Sequence, residues 1–294
     1  MHPLIQQLIS RGPIVTDGAW GTELQARGLA IGEFPDAWNL SHRERVLEVA
    51  KAYVQAGSDV ILTNTFGANR LRLAADNLAD QVMAINKSGV EISREAVENR
   101  AHVFASIGPT GKLLMDEEVT PNEIRDAFEE QAQALAAAGA DALVIETMSD
   151  LAEAQLAVGA AKTTGLPVVA CMVFDSGKNH DCTMMGTTPE EAAEALTAAG
   201  ADVIGASCGQ GIAGFAPICK RLKSATPLPI WIKANAGLPA VVEGRAKYST
   251  TPEQFAAFVP ELIILGADFI GGCCGTNPDF IRAIQRVIKK GVLV

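Results

Sequence analysis

What this chain of 294 residues lacks narrows its function first. It has no excess of positive charge: 24 Lys and Arg against 34 Asp and Glu give a formal net charge of −10. A chain this acidic does not attract phosphate backbones regardless of their sequence, so nucleic acid is not an expected partner. No apolar run is long enough to span a bilayer, which removes the membrane as a partner. The segment Met1 to Pro13 shows no basic stretch leading into an apolar run and a small-residue cleavage site, the pattern of a secretory signal. Six cysteines in that context read as reduced thiols or metal ligands rather than a disulfide framework. The expectation is a cytoplasmic enzyme acting on a small molecule.

What is present is an internal repeat. Ala56-Gly57-Ser58-Asp59, Ala138-Gly139-Ala140-Asp141, Ala199-Gly200-Ala201-Asp202 and Leu265-Gly266-Ala267-Asp268 each close a helix-like segment and open an apolar strand. They introduce strands over Val60–Phe66, Ala142–Thr147, Val203–Cys208 and Phe269–Cys274. Four further apolar runs lie between them, at Ile14–Asp17, Val103–Gly108, Val168–Phe174 and Ile230–Asn235. Helical spacing separates the strands over Arg43–Gln55, Ala79–Asn99, Asn122–Ala138, Leu151–Thr164, Pro189–Ala199, Phe215–Ser224, Pro252–Leu265 and Asp279–Lys290. Eight alternating units at this length predict one α/β domain over residues 1–294, a single (β/α)8 TIM barrel.

In such a barrel the active site lies at the carboxyl ends of the strands. Chemistry-bearing residues gather there: Asp17-Gly18-Ala19-Trp20-Gly21-Thr22 after strand one, Thr63-Asn64-Thr65-Phe66-Gly67 after strand two, and Glu146-Thr147 after strand four. Ser207-Cys208-Gly209 follows strand six, Lys233-Ala234-Asn235-Ala236-Gly237 strand seven, and Cys273-Cys274 strand eight. Neighbouring cysteines do not pair readily, because successive strand side chains point to opposite faces, yet at a bend both can turn toward one ion. With Cys208 they offer three thiolates from two strand ends, a zinc site with a fourth position free. Asn235 projects nearby. Cys171, Cys182 and Cys219 lack the strand-end glycine context and read as ordinary core or surface thiols. His42 and His180 lie in polar segments and are expected to face solvent.

The segments Asp17-Gly18-Ala19-Trp20-Gly21-Thr22-Glu23-Leu24, Thr63-Asn64-Thr65-Phe66-Gly67-Ala68-Asn69, Gly108-Pro109-Thr110-Gly111, Glu146-Thr147, Cys208, Asn235-Ala236-Gly237 and Gly271-Gly272-Cys273-Cys274-Gly275 resemble the homocysteine-binding domain of homocysteine S-methyltransferases. The likeness runs through nearly the whole chain in order and is most specific at the cysteine pair. Phe66-Gly67-Ala68-Asn69 and Ala234-Asn235-Ala236-Gly237-Leu238-Pro239 are most similar to the first barrel of cobalamin-dependent methionine synthases.

The resemblance implies Zn2+ on Cys208, Cys273 and Cys274, with Asn235 taking the fourth position until substrate replaces it. It implies homocysteine or a related thiol as acceptor, and a methyl group supplied as methylcobalamin or another corrinoid on a partner protein. Three thiolates make zinc a weak generator of hydroxide, but they suit it to hold a substrate thiol that is deprotonated and still nucleophilic. For the amino-acid end of the substrate, backbone amides around Asp17, Gly18 and Ala19 can cradle the carboxylate, and Glu146 with Asp17 can take the ammonium. Read without the family, Asp17 can equally cap a turn, Glu146 can sit in a structural ion pair, and Asn235 can be a hydrogen-bonding spacer. Ser207 departs from the family, which commonly has Asn before the first zinc cysteine, and this bears on which thiol is accepted. Two other readings remain: an aldolase or lyase using Lys233 as a Schiff base, and a non-catalytic zinc subunit that binds a corrinoid protein.

Overall fold

Short apolar strands buried on both faces are the signature of a parallel sheet covered by helices. A computed structural model describes residues 1–116, 118–242 and 245–291. Its eight barrel strands are β1 (Ile14–Val15), β2 (Val60–Ile61), β3 (His102–Ile107), β4 (Ala142–Met148), β5 (Val168–Met172), β6 (Val203–Gly211), β7 (Ile230–Asn235) and β8 (Ala267–Gly272). All pair in parallel in the order β1-β8-β7-β6-β5-β4-β3-β2, with helices between successive strands: a (β/α)8 barrel. Between β1 and β2 the seam is held by single bonds. The Asp59 amide donates to Val15 O at 2.7 Å, the Val15 amide to the Asp59 carboxylate at 2.9 Å, and the Leu62 amide to the Asp17 carboxylate at 2.7 Å.

Strand alternation divides the apolar residues into two cores. Ile230, Ile232 and Ala234 of β7 face the helices, whereas Trp231 packs inside the barrel with Phe104, Val144, Val169 and Phe269. The Trp231 ring stacks on Phe269 at 5.2 Å and on Phe104 at 6.2 Å between centroids. Ile5 and Leu8 of the helix Pro3–Ile9 join this inner core. The plug fills the lower barrel and confines polar groups to the carboxyl end, where Lys233 and Asn235, next in register with Trp231, project inward.

The helices start and stop where the sequence places their caps. Thr120, Thr188 and Thr251 each form a capping box with Glu123, Glu191 and Gln254, followed by proline at the first helical position. The repeated glycines Gly57, Gly139, Gly200 and Gly266 all adopt left-handed backbone, with φ of 94 to 101°.

Three expectations need correction. The helix expected over Pro252–Leu265 is two, Pro252–Ala256 and Val259–Ile264, because Pro260 has no amide to continue the first. The strand expected over Val60–Phe66 pairs only at Val60–Ile61, beyond which Leu62 donates to a side chain instead of a strand. The segment expected as helix from Ala79 to Asn99 begins as a 3-10 turn at Ala79–Gln81, is α-helical over Val82–Val97, and ends with Glu98 and Asn99 at positive φ. Helices Trp20–Ala26, Trp38–Ser41 and Arg70–Ala74 and an antiparallel hairpin of Ala240–Val242 with Arg245–Lys247 were not anticipated.

Candidate active site

Alternation along β6 would send Cys208 outward, on the side of Ile204 and Ala206, which pack under the helices. The backbone prevents this. Cys208 adopts φ +63° and Gly209 +72°, and the register against β7 slips between Ser207 and Gly211. A left-handed residue that is not glycine is strained, and here it turns the thiol toward the barrel mouth. Thr147, at the end of β4, has the same conformation at φ +63°. Its amide donates to Ser207 Oγ at 2.9 Å, so buried Ser207 is the support that fixes the β4 and β6 ends together.

The cysteine pair is held by the strands beside it. The Cys273 amide donates to Ala234 O at 2.7 Å, and the Ala236 amide donates to Cys274 O at 2.9 Å. Thr276 Oγ1 donates to Cys273 O at 2.7 Å and accepts from the Ala19 amide at 3.1 Å, while the Gly275 amide donates to Thr22 Oγ1 at 3.1 Å. The β1 loop and the cysteine turn are therefore one unit. Gly271 and Gly272 allow the close approach: a Cβ would lie 2.0 Å from Thr16 Oγ1 on the first and 2.4 Å from Thr276 Oγ1 on the second.

The result is a cluster of Cys208, Cys273 and Cys274 whose sulfurs all lie within 4.8 Å of one another, with Cys208 and Cys274 at 3.9 Å. Tetrahedral ligation at about 2.3 Å per bond needs sulfurs about 3.8 Å apart. Hydrogen bonds from the other two thiols pull the Cys208 thiol below its usual range, and Cys273 and Cys274 are pushed up beside it. Alone, the trio favours a single negative charge; a bound dication favours three. Asn235 adds an oxygen. Its amide group donates to Gly209 O at 2.8 Å and hydrogen-bonds toward Cys208, while its buried Oδ1 has no partner. Three sulfurs with an unpartnered oxygen fit a zinc site.

These sulfurs line a cavity of about 480 Å3. Glu146, Thr147, Ser106, Lys233 and Trp20 share its wall. Glu146 is 7 % exposed; burial raises its carboxyl above the usual range, against the opposing pull of Lys233 and a 2.5 Å hydrogen bond from Ser106 Oγ. Asp17 lies just beneath, fully buried. Its carboxylate accepts from the Leu62 amide and Trp20 Nε1, each at 2.7 Å, and from the Lys233 ammonium. Of the anticipated loop, Gly18 and Ala19 line the cavity, but the Ala19 amide already serves Thr276. Cys171 and Cys219 are buried elsewhere, Cys182 is half-buried away from the cluster, and His42 and His180 are exposed.

Lys233 is a poor candidate for a Schiff-base amine, because it is buried and ion-paired with Asp17. Burial pulls its ammonium down, but the carboxylates of Asp17 and Glu146 outweigh burial and hold it above the usual lysine range, which disfavours the free amine that imine formation needs. Of the cavity's outer arm, lined by Phe34, Asp36, Phe66 and Arg72, only Phe66 stands out in the sequence. Asp36 is buried there, accepting from the Gly67 amide at 2.9 Å, and burial raises its carboxyl to about 7 despite that bond and the nearby Arg72 charge. A lone Asp in a stretch with no clear periodicity carries no signal of burial.

A family model described as Homocysteine S-methyltransferase matches residues 14–288. The chain belongs to the homocysteine S-methyltransferase family. The methionine synthases of Mycobacterium leprae and Mycobacterium tuberculosis are each 30 % identical to it, over 98 % and 96 % of this chain. It spans a quarter of the length of those relatives. Homocysteine S-methyltransferase 1 of Zea mays is 29 % identical over 97 % of this chain and 98 % of its own. Among solved structures, the metallated form of the homocysteine methyltransferase MmuM from Escherichia coli superposes with a TM-score of 0.82 at 24 % identity, covering 97 % of this chain and 99 % of its own, which supports the fold.

Two predictions follow from this geometry. Replacing both Cys273 and Cys274 by alanine should abolish binding of stoichiometric zinc, read by metal analysis, while leaving the far-UV circular dichroism unchanged, because the apolar cores do not include these thiols. Retained zinc in the double variant would disprove the cluster as the site. Asp36 makes a pH prediction. Its folded pKa lies above the unfolded value, so its contribution to stability is complete below about pH 4 and is lost as the pH rises through about 7. Asp36→Asn, which keeps an acceptor for Gly67, should flatten that fall in urea denaturation curves measured from pH 4 to 8; identical slopes for both proteins would refute it.

Proposed function

We propose that this protein is a zinc-dependent thiol methyltransferase that binds homocysteine, or a closely related thiol, in the cavity and passes it a methyl group from a donor outside the barrel, with a methylcorrinoid on a separate polypeptide as the first candidate. One observation carries this reading: the sulfur cluster and the buried Glu146 carboxylate line the same cavity, so one small molecule can meet both. Family membership supports homocysteine chemistry and an enzyme over a purely structural zinc subunit.

Cys208, Cys273 and Cys274 would hold the zinc, with Asn235 Oδ1 available as a fourth ligand before substrate enters. Bound there, zinc would lower the pKa of an incoming thiol, and three thiolate ligands would leave that sulfur electron-rich enough to attack a methyl group as the donor–methyl bond breaks and leaves its electron pair on the donor. The protein does the rest by position. Glu146, oriented by Ser106 Oγ, takes the substrate ammonium; a cationic partner offsets the burial that raises its pKa and keeps it ionised. Ser207 fixes Thr147 beside it. The aromatic Trp20 and the half-exposed Phe66 screen the cavity from water and leave its mouth as the route for the donor.

Binding of homocysteine to the zinc form should release a proton, measured in weakly buffered solution. Glu146→Gln should weaken homocysteine binding roughly 10- to 100-fold, the range expected for losing a charged hydrogen bond. It should weaken 4-mercaptobutanoate, which has no amino group, far less. Equal losses for both thiols would reject the ammonium role. Supplying methylcobalamin, S-methylmethionine and betaine in parallel ranks the donors: transfer from betaine alone would overturn the corrinoid assignment.

A further inference from the structure

Cys274 lines the cavity, yet it is also touched by a residue that does not, Tyr248. The hairpin of Ala240–Val242 with Arg245–Lys247 leads directly into Tyr248, and the chain then returns to the cysteine turn. There the Thr250 amide donates to Ala236 O at 3.4 Å, and the Ala236 amide donates to Cys274 O. The half-buried Tyr248 ring packs over Gly275, where any side chain would run into it, and its apolar body joins the outer core. Its hydroxyl hydrogen-bonds to Cys274. Burial and the neighbouring sulfurs push that hydroxyl up to about 12, so at neutral pH it keeps its proton and is the donor.

With thiol protons present the sulfurs donate to one another, Cys208 and Cys274 standing 3.9 Å apart. Metal binding removes those protons, and the donors that remain come from outside the trio. Cys208 has the Gly209 amide and the Asn235 side chain. Cys274 has its own amide and, from elsewhere in the chain, Tyr248. These donors bear on where a methyl group goes. In the reading above, the methyl group meets four thiolate sulfurs of equal formal charge, three from the protein and one from the substrate. Transfer to a protein sulfur would leave a neutral thioether where a thiolate ligand is needed. A hydrogen bond engages a sulfur lone pair and stabilises its charge, and a thiolate stabilised in this way is a weaker nucleophile. The substrate's sulfur would enter from the cavity, whose wall Tyr248 does not reach.

We propose that Tyr248 directs methyl transfer by protecting Cys274: its hydroxyl, donating to Cys274 Sγ, makes that sulfur a poorer nucleophile than the substrate's. This rests on the zinc-thiolate reading above. The suppressed step is an attack by a lone pair of Cys274 Sγ on the methyl carbon, forming a sulfur–carbon bond as the donor–methyl bond breaks and its electron pair leaves with the donor. Tyr248 touches no reacting atom of the productive transfer; it is a positioning residue that acts through Cys274. The hairpin then has a role, which is to deliver the ring to the cysteine turn, and Gly275 has the matching one of admitting it.

The test compares the full chain with Tyr248→Phe, which keeps the ring over Gly275 and removes only the hydroxyl. Both are saturated with zinc and treated with methyl iodide in the absence of any acceptor thiol, and methylation of each cysteine is followed by peptide mass mapping. Cys274 should be methylated roughly 3- to 30-fold faster in the variant, part of the effect of losing a hydrogen bond to a charged group, while Cys208 and Cys273 stay within about 2-fold. In the cobalt-substituted chains, the thiolate-to-metal charge-transfer band should move to longer wavelength in Tyr248→Phe, because a sulfur without its hydrogen bond gives up an electron more readily. An unchanged Cys274 rate at full zinc occupancy, an equal rise at all three cysteines, or an unmoved band would each overturn the proposal. Failure of the unaltered chain to take up zinc would overturn the zinc reading itself, and this proposal with it.

Discussion

Asp17 is where the barrel closes and where the chamber floor begins, and much of the site depends on that one buried carboxylate. Between β1 and β2 there is no ladder, so the Leu62 amide would be left without a strand partner; the Asp17 side chain takes its place at 2.7 Å. The same carboxylate holds the Trp20 indole, which places the cavity wall, and pairs with Lys233 on β7 across the barrel. Removing one member of a buried pair costs about 3–5 kcal/mol because the other is left charged and unsolvated. The pair is thus a constraint with two faces: it closes a seam in the fold and holds a positive charge in place above an apolar plug of Trp231, Phe104 and Phe269.

The cysteine cluster depends on a different device, a pair of backbone reversals. Cys208 and Thr147 both take left-handed φ at strand ends, each costing about 1–3 kcal/mol in strain. The return is direction. Without the reversal, Cys208 would follow Ile204 and Ala206 into the packing beneath the helices, where a thiol is inert. The Ser207 hydroxyl, bonded to the Thr147 amide, couples the two reversals, so the residue preceding the first cysteine sets the shape of the ligand site without lining the cavity itself.

Much of the fold was legible because the signals were local. Threonine-proline helix starts, glycines after helix ends and short apolar strands each follow from the conformations available to a few neighbouring residues, and the barrel follows from their alternation. The three cysteines were legible for the same reason: each sits with glycine at a strand end. What the sequence hid is long-range. Lys233 looked like a possible imine-forming amine because nothing near it in the chain discloses that Asp17, 216 residues away, is its partner. Asp36 gave no sign of its burial, since the groups that surround it, the Gly67 amide and Arg72 of the helix Arg70–Ala74, come from the segment after β2. The break at Pro260 was visible as a residue, yet apolar spacing continues through it and periodicity alone reads one helix.

The two parts of the cavity differ in what they can recognise. The inner chamber has both signs of fixed charge and a sulfur cluster lining one cavity, and buried groups of this kind discriminate strongly because any analogue that fails to pair one leaves it unmet. The outer arm has the half-exposed Phe66 ring, Phe34, and an Asp36 carboxyl poised near neutrality beside Arg72. Apolar surface and one adjustable charge select by shape and contact, which is a weaker filter. On the proposed reading, an acceptor thiol would be selected by the residues deep in the barrel and a methyl donor by the surface around the mouth.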